Sequence, residues 1–157
     1  MEQRINFYQK GPGATKVLFG LSMYLAKSSV EQSLLRLINV RVSQINGCVF
    51  CLNADTAELR AHGETEQRLY LLNAWREAPF YTDRERAALA WAEAVTNVRE
   101  GHVPDEVYEE VSQQFSEEEL IDLTLAVTTV NTYNRMNISF RTPVTDSKPW
   151  EKTVAVK

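Results

Sequence analysis

Cys48 and Cys51 are the only cysteines of the chain, and they stand three positions apart in Asn46-Gly47-Cys48-Val49-Phe50-Cys51. Two thiols on one helical turn can close a disulfide with little backbone movement, so the pair points to redox chemistry. The flanking residues predict such a turn. A helical pattern runs up to Asn46-Gly47, a strong breaker, and resumes at once from Val49 to Leu59. The pair therefore falls at a helix start, where unpaired N–H groups and the positive end of the macrodipole favour a thiolate. On that argument alone, Cys48 is the more acidic thiol. Free cysteines are also among the most buried of residues, but the spacing and the helix start weigh toward chemistry.

The elements that must carry this pair all read as helices. Val17, Leu18, Leu21, Tyr24 and Leu25 form a first apolar stripe ending near Lys27. Ser29-Val30-Glu31-Gln32 has the spacing of a capping box and opens a second helix through Leu34, Leu35, Ile38, Val42 and Ile45. The third helix carries the dithiol and stops near Gly63. The fourth runs from about Thr65 to Glu77, before Pro79. Thr82-Asp83-Arg84-Glu85 is a second capping box, followed by the Ala-rich stretch from Ala87 to Val98. Pro104 suits the first turn of a sixth helix reaching Phe115, and Ser116 to Glu119 caps a seventh, from Leu120 to about Ile138. The expectation is an all-α single domain, 1–157, of about seven helices, with its core at about 28–143. The Pro-containing tail, 144–157, is expected to be extended or mobile.

At 157 residues, with 44% hydrophobic and 24% charged residues, the composition is that of a soluble globular protein. A net charge of -4 carries no footprint for nucleic acid or for an anionic membrane surface. No stretch is long and apolar enough for a signal peptide core or a membrane span. A cytoplasmic location is the expectation, and in a reducing compartment a dithiol is catalytic or sensing rather than structural. No phosphate-binding glycine loop or serine-hydrolase elbow is present. No flavin or nicotinamide motif is present either, so no cofactor is expected. Two thiols and Asp55 lack a histidine to complete a zinc tetrahedron.

Several stretches together resemble the AhpD-like (alkylhydroperoxidase D-like) family of the carboxymuconolactone decarboxylase superfamily. The core of the likeness is Arg41-Val42-Ser43-Gln44-Ile45-Asn46-Gly47-Cys48-Val49-Phe50-Cys51, followed by Ala61-His62-Gly63-Glu64. Leu71 to Glu77, Arg84 to Trp91, Val103 to Tyr108 and Asn131 to Arg135 extend it over most of 28–143. The resemblance implies an all-α fold assembled into a homo-oligomer, usually a trimer or hexamer. It implies peroxide reduction or thiol–disulfide exchange through the Cys-x-x-Cys, with an external dithiol or protein reductant. It also implies that Cys51 attacks and forms a sulfenate, and that Cys48, the more exposed thiol, resolves it. The dipole argument and the resemblance thus assign the roles differently, and the family assignment is the one adopted.

The sequence departs from the family at its proton relay. The family pattern places a His four residues past the second cysteine, and here that position is Asp55. It places a Glu twelve residues before the first cysteine, and here that position is Arg36. With both charges reversed, the simplest expectation is an Arg36–Asp55 ion pair, since a guanidinium matches a carboxylate bidentately and a lone buried charge is costly. A carboxylate so paired has a depressed pKa and is a poor base for a thiol near about 8.5. Slower peroxide turnover with retained dithiol exchange follows. A purely structural salt bridge is the competing reading of these two residues.

The remaining candidates read as structural. His62, at a helix end before Gly63, suits a capping role and lies about three turns from Cys51; His102 sits in a loop. Tyr70, Trp75, Trp91 and Tyr133 fall at helical spacings and suit core or subunit contacts. Two functional alternatives remain. One is a decarboxylase-like enzyme acting on a small organic acid held by Arg36. The other is a non-enzymatic redox-sensing or binding oligomer.

Overall fold

In the computed structural model, which describes residues 2–144, every regular element is a helix. Eight α-helices follow in order: α1 (Phe7–Lys10), α2 (Pro12–Leu25), α3 (Gln32–Asn46), α4 (Val49–Ala61), α5 (Glu66–Leu71), α6 (Asp83–Thr96), α7 (Asp105–Ser112) and α8 (Glu117–Phe140). Short 3-10 turns occupy Leu72–Ala74 and Val98–Glu100. The tail expected to be extended or mobile lies, from residue 145 onward, outside the described residues.

Helix α3 is the centre of the fold, because its apolar residues cover two faces rather than one. Leu34, Leu35, Ile38 and Val42 bury against α6 and α8 in one core cluster. Leu37 and Val40, on the other side, join Leu59 of α4, Leu72, Trp75 and Leu89 in a second. Full burial of each such aliphatic side chain stabilises by about 1.5–3 kcal/mol. The run Ala87-Ala88 and Ala92 of α6 is wholly buried, so small side chains let α6 lie close to its neighbours. Trp91 anchors that helix to α8, its indole N–H donating to Thr124 Oγ1 at 3.0 Å.

The helix starts confirm two of the three capping boxes. The Thr82 hydroxyl accepts from the Glu85 N–H at 3.2 Å while Glu85 Oε2 accepts from the Thr82 N–H at 2.8 Å. Ser116 and Glu119 repeat the arrangement. The box expected at Ser29 does not form. Gln32 is the first residue of α3 and donates instead to the Leu25 carbonyl at the end of α2, 2.9 Å away. Arg84 compensates at the same end of the molecule: its guanidinium binds both Glu31, the α3 cap, and Glu119 in the first turn of α8.

The helix expected over Thr65 to Glu77 is cut short at Leu71. Arg86 is the physical reason, since its guanidinium collects the carbonyls of Trp75, Arg76, Ala78 and Tyr81. Backbone oxygens satisfied in this way have no need of helical partners. Trp75 and Trp91 are core residues, whereas Tyr70 is exposed. The four-residue α1 was not anticipated, being too short to show a period.

Candidate functional site

The junction between α3 and α4 sets the site. Asn46 ends α3, and Gly47 adopts φ +70°, the left-handed conformation that stops a helix and costs a side-chain-bearing residue most. Cys48 is then the N-cap of α4 and Cys51 lies in its first turn. Cys48 and Cys51 are joined as a disulfide, their Cα atoms 5.4 Å apart. The Cys51 backbone N–H donates to Cys48 Sγ at 3.4 Å, so Cys48 caps the helix at whose start the sequence places the pair.

Both cysteines are buried, Cys48 at 1% exposure and Cys51 at 6%. The expectation that Cys48 is the more exposed thiol is therefore corrected, because its capping bond turns its sulfur inward. Phe50 and the ring of Tyr8 from α1 pack over the pair. Helix α8 supplies the remaining polar contact: Asn137 Nδ2 donates to Cys51 Sγ at 3.6 Å and to the Tyr133 carbonyl at 2.9 Å. Burial pushes the Tyr8 phenol up to about 12, against the opposing effect of the Asn137 amide, so the phenol is neutral at ordinary pH.

Neither Tyr8 nor Asn137 was singled out from the sequence. A signal was present: Asn131, Asn134 and Asn137 recur at every third position of α8. The first two hold the end of α3, both accepting from Asn46 Nδ2, at 2.9 and 2.8 Å. Asn134 also donates to Ser43 at 3.0 Å. The three asparagines thus fix the α3–α4 junction and the dithiol from one rigid helix.

The relay positions are rearranged relative to expectation. Arg36 makes its ion pair with Glu58, Nη2 to Oε1 3.3 Å, and not with Asp55. Desolvation dominates at Asp55 and pushes its carboxyl up to about 7, against the charge of Arg36 and the amide of Asn39. The nearby charge of Glu58 pushes it up further. The expected depression of the Asp55 pKa is therefore overturned. The cause is desolvation, which outweighs the pull of Arg36, whose guanidinium is paired with the carboxylate one turn further along α4. Asp55 follows Cys51 by four residues on that helix, so the two side chains share a face. His62 fills the expected C-capping role, Nδ1 lying 2.8 Å from the Glu58 carbonyl, and His102 lies exposed in a loop.

A second polar cluster beyond the dithiol is structural. Glu93 accepts from Arg41 at 2.7 Å, Arg76 at 2.6 Å and the Trp75 indole at 2.8 Å. Among the described residues, no group of three or more His, Cys, Asp and Glu could hold a metal ion, and no helix is long and apolar enough to cross a membrane.

A helical fold built around a helix-capping Cys-x-x-Cys defines the AhpD-like class. The model of the carboxymuconolactone decarboxylase family matches residues 12–94, and the chain belongs to that family, on its AhpD-like side. YdfG of Bacillus subtilis (strain 168), an uncharacterized protein, is 40% identical over 139 residues, which make up 88% of this chain and 95% of YdfG. A crystal structure of ATU0492 from Agrobacterium tumefaciens, a protein of unknown function suggested to be the antioxidant defence protein AhpD, superposes with a TM-score of 0.88. It is 40% identical and covers 92% of this chain and 100% of that one. The apo debrominase Bmp8 shares the fold, with a TM-score of 0.77 and 22% identity over 93% of this chain and 78% of its own.

Proposed function

We propose that this protein is a thiol-dependent oxidoreductase that reduces hydroperoxides, with Cys51 attacking, Cys48 resolving and Asp55 carrying the proton. The observation that carries this reading is the placement of Asp55 one turn beyond a buried redox cysteine on the same helix, where burial pushes its carboxyl up to about 7. A general base works best when its pKa lies near the working pH. Asp55 therefore fits the place of the family's histidine, and the reversed charges need not slow the reaction.

The chemistry balances as follows. Asp55 takes the Cys51 thiol proton, and the thiolate attacks the terminal, hydrogen-bearing oxygen of the hydroperoxide. An S–O bond forms, the O–O bond breaks, and the departing alkoxide takes the proton back from Asp55. Cys51 is now a sulfenic acid; the Cys48 thiol displaces its hydroxyl as water and the disulfide closes. An external dithiol, small or on a protein, then exchanges with the disulfide and is itself oxidised. No cofactor is required by this cycle. The family resemblance supports a homo-oligomer, a trimer or hexamer, and a catalytic dithiol suits a reducing compartment such as the cytoplasm.

The Arg36–Glu58 pair weighs against the decarboxylase-like alternative, since a guanidinium already bound is a poor anchor for a substrate carboxylate. The decisive experiment is stopped-flow mixing of the reduced protein with an organic hydroperoxide, following thiols and a dithiol reductant together. Multiple turnovers support the peroxidase. A single oxidation without turnover sinks it and favours a redox sensor.

A further inference from the structure

The dipole argument favours Cys48 as the thiolate, and its capping bond from the Cys51 N–H strengthens that preference. For Cys51 to attack, some other group must offset this advantage. Asn137 is the group placed to do so. It is 3% exposed, it reaches the dithiol from α8, and its Nδ2 lies 3.6 Å from Cys51 Sγ. Its Oδ1 is buried and has no hydrogen-bond partner. The same amide nitrogen is oriented by the Tyr133 carbonyl at 2.9 Å, so it cannot turn away without losing that bond.

We propose that Asn137 is a further catalytic residue of the dithiol site, whose side-chain N–H holds the Cys51 sulfur as an anion and so selects Cys51 as the attacking thiolate. The inference rests on the oxidoreductase reading above. In the disulfide the sulfur is a weak acceptor and the contact is long. In the reduced protein the same N–H meets a full negative charge, where a hydrogen bond is shorter and about twice as strong. Asn137 therefore favours the reduced form, and within it the anionic state of one sulfur. The other titratable groups around Cys51 are Cys48 and Asp55 on α4, Tyr8 on α1 and Tyr133 on α8, with Arg36 acting on Asp55 from α3. The phenols of Tyr8 and Tyr133 are both raised by burial and stay neutral. The Asn137 amide also acts on the Tyr8 phenol, but in the reduced protein a thiolate is the stronger acceptor.

The test titrates Cys51 alone, by thiolate ultraviolet absorbance, in reduced Cys48→Ser protein with and without Asn137→Leu. The leucine keeps the bulk and removes the donor. Loss of one such bond to a charged group should raise the Cys51 pKa by about one unit, a roughly tenfold loss of thiolate at a fixed pH below it. With both cysteines present, a limiting small alkylating reagent should modify Cys51 first in the wild type and Cys48 first in Asn137→Leu. Asn137→Ser, too short to reach the sulfur, serves if the leucine variant does not fold. An unchanged Cys51 pKa in a folded variant, with unchanged order of alkylation, overturns the proposal. Should the wild type turn over no peroxide, the proposed reaction fails, while the titration still decides the role of Asn137.

Discussion

Arg36 reaches across from α3 to Glu58, Nη2 to Oε1 3.3 Å, and this contact leaves Asp55 to the field of its neighbours. The arrangement makes Glu58 a controller of Asp55 in two ways. Its charge pushes the Asp55 carboxyl up, and its contact with Arg36 makes the guanidinium serve two carboxylates, although Arg36 still pulls the Asp55 carboxyl down. Glu58→Gln should therefore lower the Asp55 pKa from about 7. The rise of peroxide-dependent thiol oxidation with pH should move to lower pH in that variant. A pH–rate profile checks this, and an unmoved midpoint would remove Asp55 from the rate-limiting ionisation.

Asp55→Asn should lower kcat/KM for hydroperoxide about 10²-fold near pH 7, the usual worth of a positioned base. Asp55→His should recover part of the loss. Steady-state kinetics with a dithiol reductant distinguishes this from a salt bridge of no chemical consequence, for which both variants would turn over alike.

The same carboxyl makes stability depend on pH in an unusual direction. Its folded pKa, about 7, lies above the ordinary 3.8, so the protonated form is the one the fold favours. Its contribution is fully present below about pH 4 and is lost as pH rises through about 7. The difference is at most about 4 kcal/mol by linkage. Urea unfolding at pH 5 and pH 8 should show wild type losing stability relative to Asp55→Asn across that interval.

Glu93 should behave in the opposite sense. Burial raises its carboxyl, but Trp75, Arg76 and Arg41 together outweigh burial and hold it below the usual range. Its contribution is present above the ordinary glutamate pKa and is lost as pH falls through the depressed folded value. Glu93→Gln strands the largely buried Arg41 and should cost about 2–4 kcal/mol at neutral pH. The deficit should shrink on acidification, which denaturant titration at several pH values would reveal.

Reducing the disulfide should leave the fold standing. The bridge closes a very short segment of chain, and the loop-entropy contribution of such a ring is about 2 kcal/mol at most. For a chain of this length, thermal unfolding with and without reductant should differ by less than about 8 °C. Collapse of the helical signal on reduction would instead make the bridge structural.

How far the sequence could be read depended on the range over which each interaction acts. The Asn46-Gly47 stop, the helix start at the dithiol and the boxes at Thr82 and Ser116 are written within a few residues, and each forms as the spacing predicts. The box at Ser29 and the length of α5 failed because remote carbonyls intervened, at Leu25 for Gln32 and around Arg86 for the residues after Leu71. The expected Arg36–Asp55 pair does not form, because Glu58 sits one turn further along the same helix and takes the guanidinium. No local pattern says which carboxylate a side chain from another helix will take. Asn137 approaches Cys51 from 86 residues away. Its three-residue recurrence with Asn131 and Asn134 was the visible trace.

The compactness of the Cys48–Cys51 ring also governs how its oxidation will be seen in the laboratory. The last arginine before the pair is Arg41 and the next is Arg60, with no lysine between them. Trypsin therefore releases both cysteines in one fragment, Val42 to Arg60. Bridging joins no two peptides; it only removes two hydrogens from one. A search for cross-linked pairs will find nothing, while the ratio of two neighbouring masses of this single fragment reports the redox state of the whole population.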